Sequence, residues 1–296
     1  MPRDVIAPAG RPSTVWRDAW HDMRRRPVFW VAATLLLLVV VMAVSPGLFA
    51  HVAPNDGCRL GDSNGDPTVG HPLGFTKQGC DVYARIVHGA GTSLTVGVVA
   101  TAVTAAVGTL FGACAGFFGG WADAVLSRLG DIAFSIPSVL AAVVVMSVLA
   151  SSANVWVVSL AIGTFAWPVT ARVLRAETLR VKTAEYVLAA EALGSSRRRI
   201  LLGHVLPNAL PPVLVVITQS FAGAIVAEAT LSFLGIGLPS DVMSWGNDIG
   251  QAQRDLRTAP HTLVFPSLAL SSTVLSLVVL GEVIRDALDP RAGAPR

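Results

Sequence analysis

Six stretches of this chain are apolar over enough residues to cross a lipid bilayer. A hydrocarbon core of about 30 Å needs about 20 predominantly apolar helical residues per crossing, and such runs lie at residues 28–49, 92–117, 132–150, 155–171, 211–234 and 262–283. Only residues 151–154 part the third from the fourth, yet each side is long enough to span. The polar remainder falls into three main segments. Residues 51–91 are rich in Gly, Pro, Asp and Asn, the composition of loops; residues 185–208 form a charged island; residues 239–260 carry Trp245 and a charged run that ends at Arg257. The pattern predicts an all-α protein of six transmembrane helices. It divides into a tail at 1–27, a first span with its loop at 28–91, a five-span core at 92–285 holding a loop at about 176–209, and a tail at 286–296.

Composition agrees with that reading. Hydrophobic residues make up 53% of the chain and charged residues 14%, and the mean hydropathy is +0.61, values that exclude an ordinary soluble domain. Of the 22 basic residues, 17 fall on one side of the six-span topology, leaving only Arg59, Lys77, Arg85, Arg254 and Arg257 on the other. Basic flanks stay in the cytoplasm, so both termini and the 185–208 island are expected there. The net charge of +3 reflects this bias. No stacking aromatics are interleaved with the basic residues, and a nucleic-acid partner is not expected. The first apolar run exceeds the 7–15 residues of a secretory core and reads as an uncleaved helix.

Cys58 and Cys80 share the long external segment, on the oxidising face where disulfides persist. A bond between them is expected, against an alternative of two free thiols. Cys114, in the second span, reads as a small packing residue. Gly108, Gly112 and Gly116 recur every four residues there, which predicts close contact with another helix along one face.

The island EYVLAAEALGSSRRRILLGHVLPN at 185–208 reads as two short helices. Thr183 is placed to cap the first, Glu185 lies at the positive end of its dipole, and Gly194 ends it. Ser195 or Ser196 caps the second, and Pro207 is expected to close it. Tyr186, Ala189, Ala190 and Leu193 fall at i, i+3, i+4 and i+7, one apolar stripe that can pack back on the membrane helices or enter a groove on another protein.

The paired alanines, the glycine four residues after the second, and the later Leu206–Pro207 closely resemble the coupling loop of binding-protein-dependent ABC transporter permeases. Further stretches narrow the resemblance to the second permease subunit of dipeptide and oligopeptide importers. These are HPLG at 71–74, GFFGGWAD at 116–123, LGDIAFSIP at 129–137, AEATLSFLGIG at 227–237, SWG at 244–246 and RDALDPR at 285–291. The resemblance implies the type I permease fold of such importers and a loop, with Glu185, Tyr186, Ala189, Ala190, Leu193, Gly194, Leu206 and Pro207, that lies in a cleft of an ATP-hydrolysing subunit. It also implies a homologous permease as heterodimer partner, two ATP-binding subunits or one fused ATPase, an extracytoplasmic substrate-binding protein, membrane lipid around the spans, and the cytoplasmic membrane as location. Two departures stand out. Leu188 occupies the position of a family glutamate, whose role is therefore not carried over, and FTKQGCDV after HPLG replaces the family's usual Thr-Asp start.

Ionisable and amide groups inside spans are functional candidates. Glu228 and Gln219, nine residues apart in the fifth run, lie half a turn off a common face. Glu228 can face a translocation route or bond a neighbouring helix. The chain has no GxxxxGK phosphate loop, no HExxH and no GxSxG, and its six histidines are scattered. No catalytic residue, metal site or cofactor of its own is expected; ATP and Mg would belong to partner subunits. The function implied is peptide import by alternating access driven from a separate ATPase. The alternatives are a self-contained ion-coupled carrier, for which only Glu228 and no inverted repeat speak, or an importer of nickel or another small solute. The 239–260 segment is the candidate for meeting the binding protein or gating the exit, with a simple connecting loop as an equal alternative.

Overall fold

The computed structural model describes residues 15–288, and every named element in it is helical. The expected tails at 1–14 and 289–296, with the last three residues of RDALDPR, lie outside the described residues. A short helix α1 (Val15–Met23) leads into α2 (Pro27–Val44), the first crossing. The loop after it carries the bond between Cys58 and Cys80, whose Cα atoms are 4.3 Å apart, and two isolated bridges, Thr68 to His71 and Phe75 to Asp81. Then follow α3 (Val82–Phe118), α4 (Gly120–Ser135), α5 (Ser138–Val148) and α6 (Val155–Lys182). The island supplies α7 (Glu185–Ala192) and α8 (Arg197–Ile200); a π turn, Leu201–Val205, joins α8 to α9 (Leu206–Phe233). The chain ends in α10 (Trp245–Ala252) and α11 (His261–Leu288).

Among the described residues five helices are long and apolar enough to cross a membrane, and the bent pair α4 and α5 makes a sixth if the two count as one span. The bundle therefore has two ends, one carrying α7 and the other the disulfide loop. Several helix ends differ from the apolar runs. The first crossing stops at Val44, five residues short of the expected end, because Pro46 opens a separate 3-10 turn, Pro46–Leu48. The second begins at Val82 rather than at residue 92, since the Asp81 carboxylate accepts the Tyr83 amide at 3.1 Å and caps the helix. With 37 residues, α3 is about 55 Å long and outreaches the bilayer. The third crossing, expected as one helix over 132–150, is broken at Ile136–Pro137 by a 79° bend. A proline drives the residue before it out of the helical region, and Ile136 is extended at ψ 122°.

The core is built on α3 and α6, which make the broadest contact in the molecule and run parallel. Gly108 meets Thr170, Gly112 meets Ala171 and Leu174, and Gly116 meets Thr178. The expected glycine face is thus a helix contact: a Cβ at Gly112 would stand 2.5 Å from the Ala171 carbonyl oxygen. Around this pair, α9 and α11 pack on one side and α2 leans on α3 and α11.

Candidate functional site

At its end of the bundle, α7 is fixed from within. Val187, 2% exposed, is buried in a cluster with Phe117, Leu174, Val181 and Ile200, and Ala190 is buried as well. The expected apolar stripe is therefore divided, because Val187 rather than Tyr186 selects the inward face. Ala190 turns in with it, whereas Tyr186 (48% exposed), Ala189 and Leu193 (86% exposed) face outward beside Leu188 and Glu185. The helix has Ala184, not Thr183, at its N-cap; the Thr183 hydroxyl instead donates to the Arg180 carbonyl at 3.0 Å. It ends as expected at Gly194, φ +81°. The Ser195 amide donates to the Ala190 carbonyl and the Gly194 amide to that of Glu191, the paired bonds of a Schellman turn.

The helix after the turn begins at Ser196, whose hydroxyl accepts the Arg199 amide at 3.4 Å. Pro207 does not close it. The π turn passes the chain on into α9, with Pro207 in the first turn of that helix. From Arg197 onward the second half of the island and the fifth crossing are consequently one continuous rod, separated from α7 by the turn at Gly194. Leu206 packs into the same inner cluster, while Pro207 is exposed. Lys182 ties the preceding helix down by donating to the Phe117 carbonyl at 2.7 Å. Arg197, Arg198 and Arg199 are exposed around this surface.

The polar residues of the fifth crossing are separated. Glu228 is fully buried near the disulfide end, where one carboxylate oxygen accepts from the hydroxyls of Ser232 and Ser244 at 2.9 Å each and the other from Ser93 at 3.5 Å. Of its two expected roles, the contacts are those of a link between helices. Gln219 is exposed in the middle of α9; its Nε2 lies 3.4 Å from Glu282 Oε1, and it borders a cavity of about 420 Å³.

Sequence reasoning missed the ionic contacts. Arg85 and Asp248, 163 residues apart, form a buried pair that also reaches Asn55 Oδ1 at 3.0 Å. Burial pushes the Asp248 carboxyl up, and the Arg85 guanidinium opposes that push. Next to it Trp245 is fully buried, its Nε1 donating to the Ile86 carbonyl at 2.9 Å. Within the 239–260 segment the indole is thus a plug holding α10 on α3, turned away from the surface. Asp123 pairs with Arg175 at 2.5 Å and 2.7 Å, and Asp131 with Arg172 at 2.9 Å, joining α4 to α6. The only sequence signal for these pairs was a charge inside or beside an apolar run.

Residues 108–293 match the family described as binding-protein-dependent transport system inner membrane component. Residues 14–65 match the N-terminal TM domain of oligopeptide transport permease C. The chain is 36% identical over 283 residues to the glutathione transport system permease protein GsiD of Escherichia coli O6:K15:H31 (strain 536 / UPEC), covering 94% of this chain and 91% of that protein. The protein of the same name from Shigella boydii serotype 4 (strain Sb227) matches with the same identity and coverage.

Proposed function

The chain belongs to the family of binding-protein-dependent inner-membrane transport components, as a multi-pass ABC importer permease of the peptide-transport group, and from that premise we propose that α7 is its docking site for the ATPase. The observation that carries the proposal is the divided face of α7. Val187 and Ala190 anchor the helix to the bundle, while Tyr186, Leu188, Ala189 and Leu193 project where none of the described residues covers them. Large apolar groups on a short exposed helix fit the helix-in-groove mode of recognition. Because Leu188 stands where the family has glutamate, the docking face here is more apolar than charged. Motion received by α7 passes through the turn at Gly194 and the rod that follows into the fifth crossing.

The rest of the assembly follows from the same premise. Both termini and α7 are cytoplasmic, in line with the basic bias of that end. Two ATP-binding subunits, or one fused ATPase, hold the ATP and Mg; a homologous permease completes a heterodimer; an extracytoplasmic binding protein delivers cargo at the disulfide end. The cargo is a short peptide, as the name of the relatives, glutathione transport permease, supports. The test is affinity purification in mild detergent with identification of what copurifies. Wild type should retain an ATPase and a second permease. Leu193→Glu, which alters only the exposed face, and Gly194→Arg should both lose the ATPase while keeping the second permease. A wild-type chain that purifies alone and transports after reconstitution overturns the reading.

A further inference from the structure

Three crossings meet where one of them is interrupted. The break at Ile136–Pro137 borders a cavity of about 420 Å³ whose lining includes Phe134, Ile136, Ser138, Phe165, Gln219 and Ser220. Pro168 and Gln219, on its far walls, are each the fourteenth residue of a 28-residue helix, so the cavity lies about 20 Å from either end of each. That is bilayer depth.

An interrupted helix at that depth leaves polar backbone without partners. Helix ends leave their first amides and last carbonyls without partners inside the helix; here the Pro137 carbonyl takes the Ala141 amide at 3.1 Å and the Ser135 hydroxyl donates to the Ile132 carbonyl at 2.7 Å, while no side chain caps the start of α5. Against lipid such groups are not tolerated; they persist where they are buried in protein or line water. Ile136, Pro137 and Ser138 are exposed, not buried. A second set of groups points the same way. Arg172 lies 4.0 Å over the Phe134 ring and pairs with Asp131, with side chains 46% and 52% exposed, and Gln219 reaches toward Glu282. Ionisable groups within apolar spans face protein or a wetted cavity. These charges satisfy one another, so they need no countercharge from a second chain. They form a polar trail from the cavity toward the α7 end.

We infer that the break between α4 and α5 is a wall of the passage that cargo crosses, an inference that rests on the permease reading above. Gln219, Ser138 and Ser220, with the free backbone of the break, offer hydrogen bonds to the amides of a peptide in transit, and Phe134, Ile136 and Phe165 form its apolar side. No lining residue is charged. At the break the wall therefore offers hydrogen bonds to peptide backbone and sets no charge against the side chains that pass it, the charged trail of Asp131, Arg172 and Glu282 lying beyond the cavity.

Single cysteines test this in the assembled transporter in nanodiscs. The background is Cys114→Ser, with Cys58 and Cys80 left bonded. The reagent is a membrane-impermeant cationic methanethiosulfonate, and the control is Leu38→Cys on the exposed face of α2. Ser138→Cys and Gln219→Cys should react roughly tenfold or more faster than the control, as wetted rather than lipid-facing sites do, and a tripeptide library should slow both. Reaction as slow as the control, at rest and in the vanadate-trapped state, in a complex that still hydrolyses ATP and takes up peptide, overturns the wall while leaving the permease reading intact. Fast reaction that the library never slows overturns the contact with cargo. Absence of an ATPase from the purified complex counts against the permease reading, and the labelling rates still decide whether the break is wet.

Discussion

At the scale of single residues, the two members of the Arg85–Asp248 pair are not equivalent. Breaking a buried pair by removing one partner costs about 3–5 kcal/mol, chiefly because the other charge stays buried. A carboxylate can escape that cost by taking up a proton, whereas a guanidinium has no neutral form to retreat to. Asp248→Leu should therefore lower the melting temperature in detergent more than Arg85→Met, and the double variant should recover much of the loss. The Arg85→Met protein should also become pH-sensitive. Burial raises the Asp248 carboxyl, and without Arg85 nothing strong opposes that. A carboxyl raised in the folded state gives stability that is complete below the ordinary value of about 3.9 and fades as pH rises through the raised one. Arg85→Met should hence melt at progressively lower temperature from about pH 4 upward relative to wild type. Equal melting of the two single variants at all pH values would show that the asymmetry is absent.

Among the elements, the parallel contact of α3 with α6 is the one whose sequence pattern carried the most information. Small residues at four-residue spacing report that something approaches that face, and their close contacts make a strict prediction. Gly112→Ala puts a Cβ 2.5 Å from a backbone oxygen that cannot move without its helix, an overpacking cost of about 1–3 kcal/mol. Gly223→Ala meets nothing within 4 Å and serves as control. Thermal unfolding should show a lowered midpoint for the first and none for the second; equal midpoints would mean that α6 yields freely. Other elements were less legible, for physical reasons. Apolar runs report contact with lipid, not helix length, so the ends of α3 and α6 that pass beyond the bilayer were invisible to them. The break before Pro137 had a local signal, yet Pro168, Pro211, Pro212 and Pro266 sit inside continuous helices, so proline alone does not mark a break. On α7 the spacing of Tyr186, Ala189, Ala190 and Leu193 identified an apolar helix, but which flank turns inward was set by Val187 and the distant Phe117. The Arg85–Asp248 pair joins residues that no local pattern connects.

For the whole molecule, the exposed groups divide into two kinds that ask for different surroundings. The outward face of α2, with Val31, Leu35 and Leu38, is apolar but for the Thr34 hydroxyl and is satisfied by lipid. The face of α4 and its neighbours is not, since it combines exposed Ile132 and Phe134 with the half-exposed Asp131–Arg172 pair and the exposed, uncapped backbone of the break at Ile136–Pro137. Lipid solvates the first set and rejects the second. A single chain can wet these groups only by thinning the bilayer around them, whereas a second permease facing this side would enclose them in a chamber and cover the apolar rim. Binding that exists only in the folded state adds stability by mass action, about 2.7 kcal/mol when the partner is at 100 times its dissociation constant. In a protein of this size each kcal/mol moves the midpoint by roughly 2–4 °C. The chain purified with a homologous permease should accordingly melt several degrees above the chain alone, and the gain should shrink when Ile132 and Phe134 on the rim are replaced by serine. A lone chain that is monodisperse and melts at the same temperature as the pair would mean that this face needs no cover, and that the half-chamber is not completed by a second subunit.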